Sequence, residues 1–214
     1  YFDPGIGKLI DLWGFGSSGG RTELPKIEEI ERAFKDSSIK YLVIEDGRVK
    51  KIRDIKINLS AIAKGYAVDE VARLIKASGV ENFFVEIGGE VVASGTNKGD
   101  DWVIGVERPD NKSPIAVKLK NTSIATSGNY RNFFIWEGKK YMHIFNPESG
   151  FPANNDLASV SVIHPQSALS DAYATAMMAM GSGKAKMLAD KLKLSVLLIT
   201  NKEDNNQVIK INFP

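Results

Sequence analysis

The chain has 214 residues, enough for one large domain or two small ones with a sizeable core. Lys+Arg 28 against Asp+Glu 26 leaves a net charge of +2 with the signs mixed along the chain, which argues against a nucleic-acid partner. With no cysteine, disulfides, thiolate metal sites and a cysteine nucleophile are excluded, and no apolar run reaches the ~20 residues that span a bilayer.

The chain opens on Tyr1-Phe2-Asp3-Pro4-Gly5 without an initiator Met, already inside what reads as a structured motif. The expectation is a single domain over residues 1–214 that lacks an N-terminal portion. Residues 7–15 read as a short helix with Leu9, Ile10, Leu12 and Trp13 inward, followed by a Gly/Ser-rich connector over 15–22. Pro25 sits at a first helical position and opens a helix over 25–36. Residues 41–52 read as a hairpin with Asp46-Gly47 as its turn, and 55–60 as a short strand. An amphipathic helix over 64–77 buries Val68, Val71, Ala72, Leu74 and Ile75, with Gly79 as a C-terminal cap.

Residues 83–95 read as a strand pair or as one strand with a Gly88-Gly89 bulge. Further strands are expected over 101–109, 115–120, 133–144 and 158–165. A helix over 167–180 follows, then a second one up to Leu194 and a closing hairpin over 195–213. Strands joined as hairpins outnumber helices, and no regular βαβ alternation appears. The fold class is therefore α+β, with largely antiparallel sheets and interspersed helices.

Five segments carry polar chemistry. In Leu169–Met177, Asp171 and Thr175 stand at i and i+4 on one helix face, so a carboxylate and a hydroxyl converge as suits a hard cation such as Mg²⁺; a solvated face fits the same pattern. Asn58–Tyr66 enters a helix with small residues and Lys64, which suits phosphate or a plain turn. Glu86-Ile87-Gly88-Gly89-Glu90 sets carboxylates around two glycines, for ribose hydroxyls or an amine, or as a simple strand bend. Ala125–Tyr130 reads as a hydroxyl-rich turn that donates to phosphate or caps the next strand. Of the two histidines, His164 precedes Pro165 at a strand end and reads as structural, whereas His143 precedes a polar turn and is the general-base candidate. Gly-x-Ser-x-Gly, Walker A and G-x-G-x-x-G motifs are all absent, as is a His/Cys cluster for zinc.

In their order and approximate spacing, these segments resemble the ApbE family of flavin transferases. The resemblance is carried by Phe2–Gly7 running into Leu12–Gly16, by Leu59–Asp69, Val85–Glu90 and Ala125–Tyr130, by His143-Ile144 through Pro147–Gly150, and by Asp171 to Thr175. It implies a T-fold-related architecture and Mg²⁺-dependent cleavage of FAD. The FMN half passes to a Thr or Ser hydroxyl of a target flavoprotein, and AMP leaves. By the same resemblance, the side chains of Asp171 and Thr175 and the backbone carbonyl of Ala63 hold the metal, and His143 takes the proton from the acceptor hydroxyl. Phe2, Asp3, Ser60, Lys64, Tyr66, Thr126 and Phe145 are placed around the FAD, with Glu90 at its adenosine end. Three positions depart from the family pattern: Met142 precedes His143 where two histidines are usual, and Asn146 and Asn129 stand for aspartates.

Two further readings of the site are an FAD pyrophosphatase that uses water as acceptor and an FAD-binding module without chemistry. The resemblance also implies an extracytoplasmic setting, with any membrane contact made only through an anchor outside this chain.

Overall fold

A computed structural model describes residues 1–16, 23–201 and 206–214. Most of the expected connector over 15–22 and the tip of the last hairpin lie outside the described residues. In chain order the elements are α1 (Gly7–Leu12), α2 (Ile27–Lys35), β1 (Leu42–Glu45), β2 (Arg48–Lys51), α3 (Ala63–Ala77), β3 (Phe83–Ile87), β4 (Glu90–Ser94), β5 (Trp102–Val106), β6 (Ile115–Leu119) and β7 (Thr122–Gly128). They continue with β8 (Phe133–Trp136), β9 (Lys139–Met142), β10 (Phe145–Asn146), β11 (Phe151–Pro152), β12 (Leu157–His164), α4 (Ser167–Met180), α5 (Ser182–Leu192), β13 (Ser195–Thr200) and β14 (Val208–Ile211). Among the described residues every strand pairing is antiparallel apart from one lone parallel bridge, so the α+β class holds.

The chain forms two compact units. The first comprises Tyr1–Leu59 and Arg131–Asn154. Its core is Leu9 and Trp13 of the α1 segment, Ile30 of α2 and Phe145, ringed by Phe15, Phe34, Phe134 and Tyr141. Among its antiparallel pairs, besides the short β10–β11, are two hairpins, β1–β2 and β8–β9. Each turns on a pair of residues with positive φ, Asp46-Gly47 and Glu137-Gly138, as a two-residue turn between right-twisted strands requires. The strand expected over 55–60 does not form. Its alternating pattern is not realised: Ile55 is buried but Ile57 and Leu59 are exposed, and its neighbour is the entry to α1. That entry offers one parallel bridge, Ile6 to Lys56, before it coils into the helix.

The second unit comprises Ser60–Tyr130 and Asn155–Pro214. Its centre is a six-stranded antiparallel sheet in the order β14-β13-β12-β7-β4-β3. One face packs on the β5–β6 hairpin through Val91, Ala93, Ile124 and Leu197 against Val106, Val117 and Leu119. The other face takes the helices: Val68 and Ala72 of α3 pack with Phe83 and Val85, and α4 lies against β7 and β12. Gly88 and Gly89, both at positive φ, form the turn between β3 and β4, so 83–95 is a strand pair and not a bulged strand. On α3, Leu74 is 60% exposed and Val71 38%, against the expectation of burial. The buried stripe of the helix is narrow: Gly65, Val68 and Ala72.

Candidate active site

In the second unit the site is built where the start of α3 meets the start of α4. Gly65 makes the approach close: a Cβ there would stand 2.3 Å from the carbonyl oxygen of Ser167. The Gly65 N–H then donates to Oδ2 of Asp171 at 3.1 Å. Asp171 is 3% exposed, and its other oxygen has no hydrogen bond among the described residues. Burial pushes its carboxyl above the ordinary aspartate value, against the pull of the Gly65 N–H and the charge of Lys64. One helical turn on, the Thr175 hydroxyl is 3.0 Å from that of Ser127 on β7. A buried carboxylate with an unspent oxygen, beside a hydroxyl on the same helix face, is a donor set of hard oxygens. It fits a small divalent cation, with the backbone carbonyl of Ala63 in the turn that Gly65 anchors. Among the described residues no group of three His, Cys, Asp or Glu side chains forms, so such a cation would rest on one carboxylate and neutral oxygens.

Lys64, next in sequence to Gly65, sets its ammonium 2.7 Å from Glu90 Oε2, though out of hydrogen-bond alignment. Glu90 is 1% exposed. Burial raises its carboxyl above the ordinary glutamate value; Lys64 opposes that rise and the charge of Asp171 adds to it. Its carboxylate is thus ion-paired with Lys64. Ser60 and Tyr66 are exposed at the start of α3. Residues 125–128 are not a turn but the end of strand β7, whose side chains alternate. Ser123 and Ser127 reach Ser170 and Thr175 of α4, whereas Thr126 points to the opposite face and meets the Ser161 hydroxyl at 2.7 Å.

The remaining candidates lie in the first unit. His143 sets Nδ1 2.9 Å from the carbonyl oxygen of Asn132. A carbonyl only accepts, so Nδ1 carries the proton and the basic lone pair is on Nε2. The ring is half-buried, 6.4 Å from that of Phe15. Phe145 is a core residue, 3% exposed and packed edge-on against Trp13 and Phe15. Phe2 is half-buried. Asp3 spends its carboxylate on the local chain: Oδ1 accepts from the N–H groups of Gly5 and Ile39 at 2.7 Å, and Oδ2 from the Ser38 hydroxyl at 3.1 Å.

A family model described as the ApbE family matches residues 1–198. The chain belongs to the ApbE family. This ApbE chain is 37% identical over 207 residues to a protein of Vibrio cholerae named FAD:protein FMN transferase, covering 94% of itself and 62% of that protein. A protein of the same name from Buchnera aphidicola subsp. Schizaphis graminum is 35% identical over 210 residues, again with 94% and 62% covered. Among solved structures, the fold matches the flavin transferase ApbE from Vibrio cholerae at 34% identity and a TM-score of 0.88, covering 97% of this chain and 68% of that one. It also matches the apo form of the Pseudomonas stutzeri flavinyl transferase ApbE at 33% identity and a TM-score of 0.90, with 98% and 66% covered. The chain spans about three-fifths of the length of the curated relatives it matches.

Two residues that touch α4, Ser127 and Asp69, have no individual role assigned by the sequence. Ser127 was masked by the turn-like run of hydroxyls around it. Asp69 accepts hydrogen bonds from the first turn of α4; in the sequence it closes the Leu59–Asp69 segment but is given no role of its own there.

Proposed function

We propose that this chain transfers the FMN moiety of FAD to a Thr or Ser hydroxyl of a target protein, with release of AMP and with Mg²⁺ at the site. Its ApbE membership and the names of its relatives support a flavin transferase. The observation that carries the metal reading is Asp171, a buried carboxylate with one oxygen unspent.

Asp171, Thr175 and the carbonyl of Ala63 would hold the ion, which when bound neutralises charge on the diphosphate oxygens. Lys64 adds a fixed positive charge at the same turn. In the transfer, the acceptor hydroxyl oxygen bonds to the FMN phosphorus and the bond from that phosphorus to the AMP oxygen breaks. The hydroxyl proton goes to Nε2 of His143, whose Nδ1 is already committed to Asn132. Ser60 and Tyr66, exposed at the start of α3, and Phe2 in the first unit are the FAD-side contacts this reading favours.

The test is to incubate the chain with FAD and Mg²⁺, with and without an acceptor flavoprotein, and to measure AMP and protein-bound flavin. AMP that appears only with acceptor, matched by covalent flavin on it, is the expected result. AMP without acceptor makes the chain an FAD pyrophosphatase. FAD binding with no AMP under either condition overturns the catalytic reading.

A further inference from the structure

Helix α4 carries both side chains of the proposed cation site, yet it has no cap of its own. Gln166 precedes it in extended backbone and makes no side-chain hydrogen bond to its first turn. The first N–H groups of a helix have no partner inside it and need an acceptor from elsewhere. Here the acceptor is Asp69, nearly a hundred residues earlier on α3. Its Oδ1 accepts from the Ser167 N–H at 2.8 Å and its Oδ2 from the Ala168 N–H at 2.9 Å. Asp69 stands at i+4 from Gly65, so both lie on one face of α3. On that face Gly65 brings the two backbones together and binds Asp171, while Asp69 holds the end of α4.

We infer that Asp69 is a positioning residue for cation binding. It caps α4 in trans, fixing the start of that helix against α3 and so holding Asp171 and Thr175 in register with the Ala63 turn. Either oxygen alone would satisfy one N–H; the two together also fix the rotation of α4 about its axis. The carboxylate also places negative charge at the positive end of the α4 dipole. This inference rests on the reading of Ala63, Asp171 and Thr175 as cation ligands.

The test is Mg²⁺ binding by calorimetry, without FAD, on the full chain and on Asp69→Ala, Asp69→Asn, Asp171→Ala and Val196→Ala. The last is a cavity variant in β13 that leaves the polar contacts between α3 and α4 in place and controls for lost stability. Asp69→Ala is expected to weaken Mg²⁺ binding about 10–100-fold, the usual effect of removing a group that orients a ligand. Asp69→Asn, which keeps one acceptor oxygen, is expected to fall between that variant and the parent. Val196→Ala is expected to melt earlier and to bind Mg²⁺ as the parent does. With FAD and acceptor, the Mg²⁺ concentration for half-maximal rate should rise in Asp69→Ala while the rate at saturating Mg²⁺ stays within about twofold of the parent. Parent-like Mg²⁺ binding by Asp69→Ala, or equal weakening in Val196→Ala, overturns the inference. If Asp69→Ala does not fold, parent-like binding by Asp69→Asn overturns it instead. A parent chain whose Mg²⁺ binding is absent or survives in Asp171→Ala overturns the cation-site reading itself, and this inference with it.

Discussion

His143 shows how much of a residue's role comes from one neighbour. The sequence marks it as a general-base candidate but does not say which nitrogen is the base. The Asn132 carbonyl fixes its tautomer. If Nε2 is the proton acceptor, His143→Ala is expected to slow FMN transfer by about 10²–10⁴-fold, the usual weight of a general base, and to leave FAD affinity within a few-fold. Single-turnover transfer and FAD titration measure the two separately. A second residue-scale prediction concerns Asp156, which meets the N–H and hydroxyl of Ser182 at the start of α5. Burial works against its ionised form, but these hydrogen bonds and the charge of Lys186 outweigh it and hold the carboxyl below its ordinary 3.8. A lowered carboxyl stabilises the fold above the unfolded-state value and loses that effect as the pH falls through the folded one. Asp156→Ala is thus expected to cost about 1 kcal/mol at neutral pH, as loss of a helix cap does, with the difference shrinking as the pH drops below 3.8. Urea unfolding of both proteins across that range measures it.

At the scale of elements, the sequence was most legible where the signal is local. Pro25 ahead of α2, Asp46-Gly47 between β1 and β2, and the run of small apolar residues that became α4 all act through their own backbone. It was least legible where a partner decides. Leu74 belongs to an apolar pattern yet faces solvent, while Val68 and Ala72 of the same helix are the positions that meet Phe83 and Val85. Thr126 and Ser127 look alike in sequence, and only the pairing of β7 with β12 shows which one points at α4. In the same way, Asp171 and Thr175 could be recognised as a pair from their spacing, while the trans cap from Asp69 could not. Gly65 is the element-scale test. Its Cβ would meet backbone, not a flexible side chain: Ser167 O at 2.3 Å and Ser167 C at 2.7 Å. Gly65→Ala is therefore expected to force α3 and α4 apart, costing about 1–3 kcal/mol by chemical denaturation and weakening Mg²⁺ binding in parallel. A Gly183→Ala variant, where a new Cβ meets nothing within 4 Å, is expected to do neither.

At the scale of the molecule, the two units differ in construction. The first unit supplies the proposed base on a connection between short hairpin strands. The second supplies all three proposed cation ligands on two helices backed by a six-stranded sheet. A ligand that binds only the folded state adds stability to whatever must unfold to release it, about 2.7 kcal/mol at a hundred times its dissociation constant. Added Mg²⁺ without FAD is therefore expected to slow amide exchange in the first turns of α3 and α4 and in the part of β7 that carries Ser127. It should leave the β1–β2 and β8–β9 hairpins of the first unit unchanged. Hydrogen–deuterium exchange read by mass spectrometry resolves these segments. In Asp171→Ala the protection should vanish from all three, because the cation loses its only charged ligand. Protection spread evenly over both units would place the ion, or its effect, somewhere other than the junction of α3 and α4.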